Sequence, residues 1–283
     1  MYQPVIIGNL VKKYLKEQMQ LKIHSQFNHG FNLQQGKQLI FIGDDQKGSV
    51  PFGIHLKLVD LQRLQENLTD KLIVAYQREV LYFGDQSIDL TQSHSSITEI
   101  EELDPRNITS ILSEFEKFEK GAGLDFLALL KWQELATGLL ADSKADCQKI
   151  EEFILKLIGA GIGLTPAGDD FLVGILAINQ SYSFLDSIFK ETLESLLGKE
   201  LTTDVSISYL EAALEGSFSS GVLGVIKQLQ SGDVTEALNK LSQSGSSSGC
   251  DTIMGMYWAL VQINYLQHRE IKNEKTCSIG TRW

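Results

Sequence analysis

The sequence predicts an α+β protein, with a small β-rich N-terminal domain over residues 1–100 and a mainly helical C-terminal bundle over 101–270. Three observations predict this. Up to about residue 90, short apolar or β-branched runs recur between Gly, Asp, Asn and Gln, the pattern of strands and turns. From Asp104 onward the apolar residues recur at helical spacing. The change falls in Thr91–Glu102, a polar, Ser-rich stretch that reads as a linker.

Residues 5–18 read as one amphipathic helix ahead of the strands. Strands are expected at 21–27, 38–43, 54–59, 71–77 and 79–84, with turns at Gly36, Gly43, Gly48, Gly53 and Gly84. Asp104-Pro105 is a cap-and-proline start for a helix to Lys120, which Gly121-Ala122-Gly123 breaks. Helices over 124–140 and 143–158 follow, then a glycine-rich loop and a helix to Gln180. Further helices are expected at 183–197, 203–215, 218–230, 233–243 and 250–267. Residues 271–283 are polar and read as a flexible tail. No repeat of fixed period marks a solenoid.

The 283 residues carry 43% hydrophobic and 22% charged side chains, the balance of a soluble globular protein. The net charge of −11, without any Lys/Arg cluster, argues against a nucleic-acid partner. Cys147, Cys250 and Cys277 are odd in number and far apart, which predicts neither a disulfide framework nor a zinc site. The N-terminus lacks the basic start and long apolar core of a secretory signal. No apolar run approaches the roughly 18 residues that span a bilayer. These features predict a cytoplasmic protein with no membrane partner.

The stretch Gly159–Gly174 carries most of the functional information. Five of its residues are glycines, used where backbone turns at positive φ or another group comes close. Thr165-Pro166 reads as an N-cap and first-turn pair. Asp169 and Asp170 then fall at the mouth of a helix that is apolar all round and therefore buried. Two more helix starts share this chemistry. Thr202-Thr203-Asp204 precedes one; Ser244–Asp251, with Ser247, Ser248 and Gly249, precedes another that is again almost wholly apolar.

Central helices packed side by side would bring such starts together. A helix start presents unsatisfied amides and about half a positive charge, so a glycine- and serine-rich turn there suits an anion. The acids oppose that, because neighbouring carboxylates disfavour joint ionisation. Three remedies are open: a Mg²⁺-like cation held by Asp169 and Asp170, a substrate with an amide or amine end, or a basic side chain from a partner subunit. Taken singly, Thr202-Thr203-Asp204 is also an ordinary capped start. His24, His29, His55, His94 and His268 are scattered and read as surface or packing residues. Glu215, before Gly216, is a weaker candidate for the same site, and Cys250 reads as a neighbour of the cap. The loop lacks a phosphate-loop lysine, follows no clear strand, and matches no nucleophile elbow.

Together GIGLTPAGDDFLVG (161–174), TTDVS (202–206) with Glu215-Gly216, and SSGCD (247–251) resemble a bacterial family, AllH. HSQFNHGFNL (24–33) and VPFGIHL (50–56) are similar to its β-rich front half, so the likeness spans most of the chain. That family includes a subunit of oxamate carbamoyltransferase, from anaerobic allantoin breakdown in purine degradation. This chain has Ala167 where the family often has Ser, and Ser246 where many members have His.

The resemblance implies a subunit that helps move a carbamoyl group between carbamoyl phosphate and oxamate, forming oxalurate and phosphate. It implies Thr165, Gly168, Asp169 and Asp170 as the core of the site, with Asp169 or Asp170 assisting deprotonation of the acceptor amide. Gly161 and Gly163 would shape the loop. Thr202, Thr203, Ser247, Ser248, Gly249 and Asp251 would form a second wall. Partner transferase subunits or a homo-oligomer are expected. Two other readings stay open, a stand-alone metal-dependent enzyme on a phosphorylated ligand and a non-catalytic anion-binding scaffold.

Overall fold

The computed structural model describes residues 1–69, 71–91, 100, 108–124, 139 and 146–279, with side chains to residue 267. The chain divides into two compact units, residues 1–99 with 204–223, and residues 100–203 with 224–283.

The first unit is built on an eight-stranded sheet in the order β1-β5-β4-β3-β2-β6-β7-β8. The strands are β1 (Ile6–Ile7), β2 (Met19–Phe27), β3 (Gly30–Gln35), β4 (Gln38–Asp44), β5 (Gly53–Leu56), β6 (Ile73–Gln77), β7 (Val80–Phe83) and β8 (Gln86–Asp89). Neighbours are antiparallel except β4 and β5, where Ile42 stands opposite Ile54. The sheet curls until the N-terminal segment bridges its two edges. Tyr2 pairs with Ile88 of β8, while Ile6 and Ile7 pair with β5. Inward-facing Phe31, Leu33, Ile42, Ile54 and Leu81 form the core, closed by Leu61 and Leu64 of α2 (Leu58–Gln65). A later helix, α7 (Asp204–Leu214), returns to this unit; its Tyr209 ring meets Phe52 edge-on at 5.0 Å.

The helix expected over 5–18 shrinks to α1 (Val11–Tyr14). The preceding Val5, Ile6 and Ile7 suit a strand better than a helix, and the Val5 and Gly8 amides donate to the His55 and Gly53 carbonyls at 2.8 and 2.7 Å. Strands β3 and β8 escape sequence reading because their polar residues hide the alternation. The strand expected over 54–59 ends at Leu56, and α2 begins at Leu58. Gly43 and Gly53 lie within strands rather than turns.

The second unit is helical. Its helices are α3 (Ile108–Glu116), α4 (Cys147–Leu157), α5 (Ala167–Ser181), α6 (Ser187–Leu197), α9 (Thr235–Ser242) and α10 (Ser248–Ile279), while α8 (Ser220–Leu229) carries the chain into it from the first unit. Asp146 and Asp186 cap α4 and α6, accepting from the Lys149 and Ile188 amides. Every residue of α5 except Gln180 is buried, as its unbroken apolar sequence requires. The backbone of α10 is helical to Ile279, into the stretch expected as a tail. The 124–140 helix lies outside the described residues apart from Leu124 and Leu139, as do Asp104-Pro105, nearly all of the expected linker, and the side chains of His94, His268 and Cys277. The α+β class, with its β-rich front and helical back half, is as expected.

Candidate functional site

Two helix-loop-helix segments of the second unit build the site, α4 to α5 and α9 to α10. Each second helix opens with the same spacing, Gly168-x-Asp170-x-x-x-Gly174 and Gly249-x-Asp251-x-x-x-Gly255. The first glycine of each lies hard against the preceding helix. A side chain at Gly168 would overlap the Leu157 carbonyl, and one at Gly249 the Leu241 carbonyl. The second glycines lie where α5 meets α10. A side chain at Gly174 would overlap the Thr252 carbonyl, and one at Gly255 the Phe171 carbonyl. The contacts are reciprocal, each glycine meeting the residue that follows the other helix's aspartate. The backbones therefore touch one turn beyond Asp170 and Asp251, which sets those two carboxylates beside each other.

Asp170 is 6% exposed and Asp251 is 0% exposed. Asp170 accepts from the hydroxyls of Thr165, in its own loop, and Ser248, at the start of α10. Asp251 accepts at Oδ1 from the Gly123 amide at 2.7 Å, and also bonds Ser247 and the Leu124 amide. One oxygen of each acid, Asp170 Oδ2 and Asp251 Oδ2, is buried with no hydrogen-bond partner. Burial pushes the Asp170 carboxyl up to about 8, aided by the charges of Asp251 and Asp169. Burial also raises Asp251. Both shifts favour a proton held by the pair.

Asp169 does different work from its neighbour. Its Oδ1 accepts from the Gly159 amide at 2.8 Å and its Oδ2 accepts from the Thr202 hydroxyl. It thus ties the loop and the 201–203 segment to the start of α5. Thr203 adds a second tie, donating to the Leu164 carbonyl. Gly161 and Gly163 turn the loop at φ of 122° and 102°, values that side chains resist. They carry it to an exposed apolar tip, with Ile162 94% and Leu164 44% exposed.

The structure thus gathers the expected residues Asp169, Asp170, Thr165, Thr202, Ser247, Ser248 and Asp251 around the two helix starts, in roles that differ from simple capping. Thr165 does not cap α5; Pro166 holds the N-cap position and the hydroxyl turns to Asp170. Gly168 and Gly249 serve close helix packing. The third start leads elsewhere, since Asp204 accepts from Gln34 at 2.9 Å within the first unit. Glu215 pairs with Lys13 at 2.6 Å in that same unit.

Cys250 is buried, and its thiol is pushed up by burial, the opposite of an activated nucleophile. Of the acids expected to hold Mg²⁺, Asp169 has both oxygens engaged, and among the described residues no group of three His, Cys, Asp or Glu could hold a metal. His55 is buried and accepts from the Val50 amide at Nε2, with burial lowering its protonation.

Sequence reading missed Gly123, Leu124 and Gly255 as parts of the site, and gave Gly174 no partner across the helix crossing. Their signal was the repeated Gly-x-Asp-x-x-x-Gly spacing, and the Gly121-Ala122-Gly123 break that supplies the Asp251 amide bond.

Two family models match the chain. Residues 4–97 match the AllH family N-terminal domain, and residues 157–260 match the oxamate carbamoyltransferase subunit AllH. The second match contains Asp169, Asp170, Thr202, Thr203 and Asp251. No solved structure matches the chain. Among the described residues no helix is long and apolar enough to cross a membrane.

Proposed function

The chain belongs to the AllH family, and from that premise we propose that it helps transfer a carbamoyl group between carbamoyl phosphate and oxamate. The observation that carries this reading is the buried Asp170–Asp251 pair at two meeting helix starts. In the transfer, the oxamate nitrogen bonds to the carbamoyl carbon, the carbon–oxygen bond to phosphate breaks, and the nitrogen loses a proton. Oxalurate and phosphate result. In its ionised form, a carboxylate raised to about 8 is a base strong enough to take that proton. The positive dipole ends of α5 and α10 favour the negative charge that gathers on the carbamoyl oxygen and on the departing phosphate.

Asp169, Thr202 and Thr203 hold the loop that places Asp170 and Thr165. The exposed Ile162 and Leu164 beside the site support coverage by a partner transferase subunit. A cytoplasmic setting suits an enzyme of small metabolites.

Co-purification with the other transferase subunits, followed by assays of phosphate release from carbamoyl phosphate with oxamate and of oxalurate phosphorolysis, tests the proposal. Turnover in both directions is expected. Its absence from the full assembly overturns the reading. Retained turnover in Asp170→Asn would remove Asp170 from the chemistry.

A further inference from the structure

Strand β2 carries a hydroxyl–imidazole pair that the proposed transfer does not use. His24 and Ser25 are neighbours in sequence, and neighbours on a regular strand point to opposite faces. Here the pairing with β3 shifts by one residue between Ile23 and Ser25, a β-bulge. Ile23 stands opposite the core residue Leu33, and Ser25 stands opposite Asn32. Without the bulge Ser25 would follow Ile23 to the core face. With it, Ser25 joins His24 on the other face, and Ser25 Oγ meets His24 Nδ1 at 3.0 Å.

Asn32, only 3% exposed, donates to Ser25 Oγ at 3.0 Å. That oxygen already accepts a proton from Asn32, so its own proton goes to His24 Nδ1. His24 then carries its ring proton on Nε2, which lies 3.6 Å from Asp204 Oδ2. Gln34, two residues along β3 from Asn32, donates to the same Asp204 oxygen at 2.9 Å. A hydroxyl, a base placed to take its proton and a carboxylate behind the base thus stand in a row. All of them belong to the first unit. Ser25 is half-buried and His24 is exposed, so the pair is reached from solvent. Among the described residues no lysine or arginine pairs with Asp204. A phosphoryl group would bring its charge against that carboxylate, whereas a neutral carbonyl would not.

We infer that Ser25 is a nucleophile toward small activated carboxylic esters, with His24 as its base and Asp204 as a positioning residue. Ser25 Oγ bonds to the ester carbonyl carbon while its proton passes to His24 Nδ1. The carbon–oxygen bond to the alcohol breaks, and the leaving oxygen takes that proton. Water then attacks the acyl group on Ser25 and gives a proton to His24, which returns it to Ser25 Oγ. Acid and alcohol are the products. This activity is separate from the carbamoyl transfer proposed above.

Rapid mixing of the full chain with p-nitrophenyl acetate tests the inference. A stoichiometric burst of nitrophenol is expected, with an acetyl group found on Ser25 by peptide mass spectrometry. Ser25→Ala should abolish both. His24→Gln should slow the burst about a hundredfold, the low end of what a positioned base supplies. It also leaves Ser25 and Asn32 in place, and so decides the matter if Ser25→Ala does not fold. Asp204→Asn should slow the burst by no more than about fivefold, because its pair with His24 is long and its side chain 41% exposed. Asp204→Glu should restore the rate.

The absence of a burst, a burst undiminished in Ser25→Ala, acetyl groups on lysines or tyrosines alone, or wild-type rates in His24→Gln would each overturn the inference. Acetylation of Ser25 in a chain whose assembly transfers no carbamoyl group would leave it standing and sink the proposed function. Carbamoyl transfer without acetylation of Ser25 would do the reverse.

Discussion

The start of α5 and the start of α10 share three residues and little else. Each has a glycine against the preceding helix, an aspartate two residues on, and a glycine at the helix crossing. Their settings differ. The α5 start is reached through alternating glycines at positive φ and is tied down by Asp169 and Thr202. The α10 start is reached through serines and is held by amides of the Gly121–Leu124 break. Two different loops thus deliver one carboxylate to one place. The shared residues fix where the acids meet; the unshared ones only hold them there.

The crossing glycines offer the harshest way to break this equivalence. Gly174→Val or Gly255→Val drives a side chain into a carbonyl of the opposite helix. Either should cost about 4 kcal/mol or more, at the exceptional end for single substitutions. Urea midpoints should fall equally for the two if the starts are equivalent, and a large inequality would show that they are not.

On turnover of the assembled enzyme, Asp170→Asn and Asp251→Asn should each lower kcat by roughly a hundredfold or more, the usual scale for acid–base groups. A loss confined to one of them would assign the proton transfer to that helix.

Stability should separate the adjacent acids. Asp169→Ala strips acceptors from the Gly159 amide and Thr202, and should cost about 1–3 kcal/mol. Asp170→Asn should act in the opposite sense. The Asp170 carboxyl moves from an ordinary 3.8 to about 8 on folding, so between those values the fold keeps a proton that the unfolded chain releases. Its contribution is full below 3.8 and is lost as pH rises toward 8. Melting curves from pH 4 to 9 should fall along that window for the wild type and flatten in Asp170→Asn, which should be the more stable protein at the alkaline end. The smallest effect belongs to Ser246→Ala, at an exposed position between the two sets of ties, where a change within about 0.5 kcal/mol is expected.

Much of this was legible in the residues. The alternation of Leu21, Ile40, Val74 and Leu81 announces a sheet, and the apolar run after Asp170 announces a buried helix. The acids at the two starts stood out because a helix buried all round has no casual use for charge. What stayed hidden depended on distance contacts. Asp169 and Asp170 are adjacent and chemically identical in sequence, and only the fold turns one to Gly159 and Thr202 and the other to Ser248. Asp204 looked like a third member, yet a partner 170 residues away, Gln34, holds it. Strand β1 hides from the sequence because its pairing with β5 lies far along the chain.

The short N-terminal segment works as a clasp on the sheet. Tyr2 fastens to β8 and Ile6–Ile7 fasten to β5, so the first seven residues shield both ends of the strand order. Trimming them would leave two raw strand borders, the geometry from which chains stack into insoluble assemblies. An affinity tag placed ahead of Met1, which is 75% exposed, spares the clasp; a truncation that begins at Gly8 opens it.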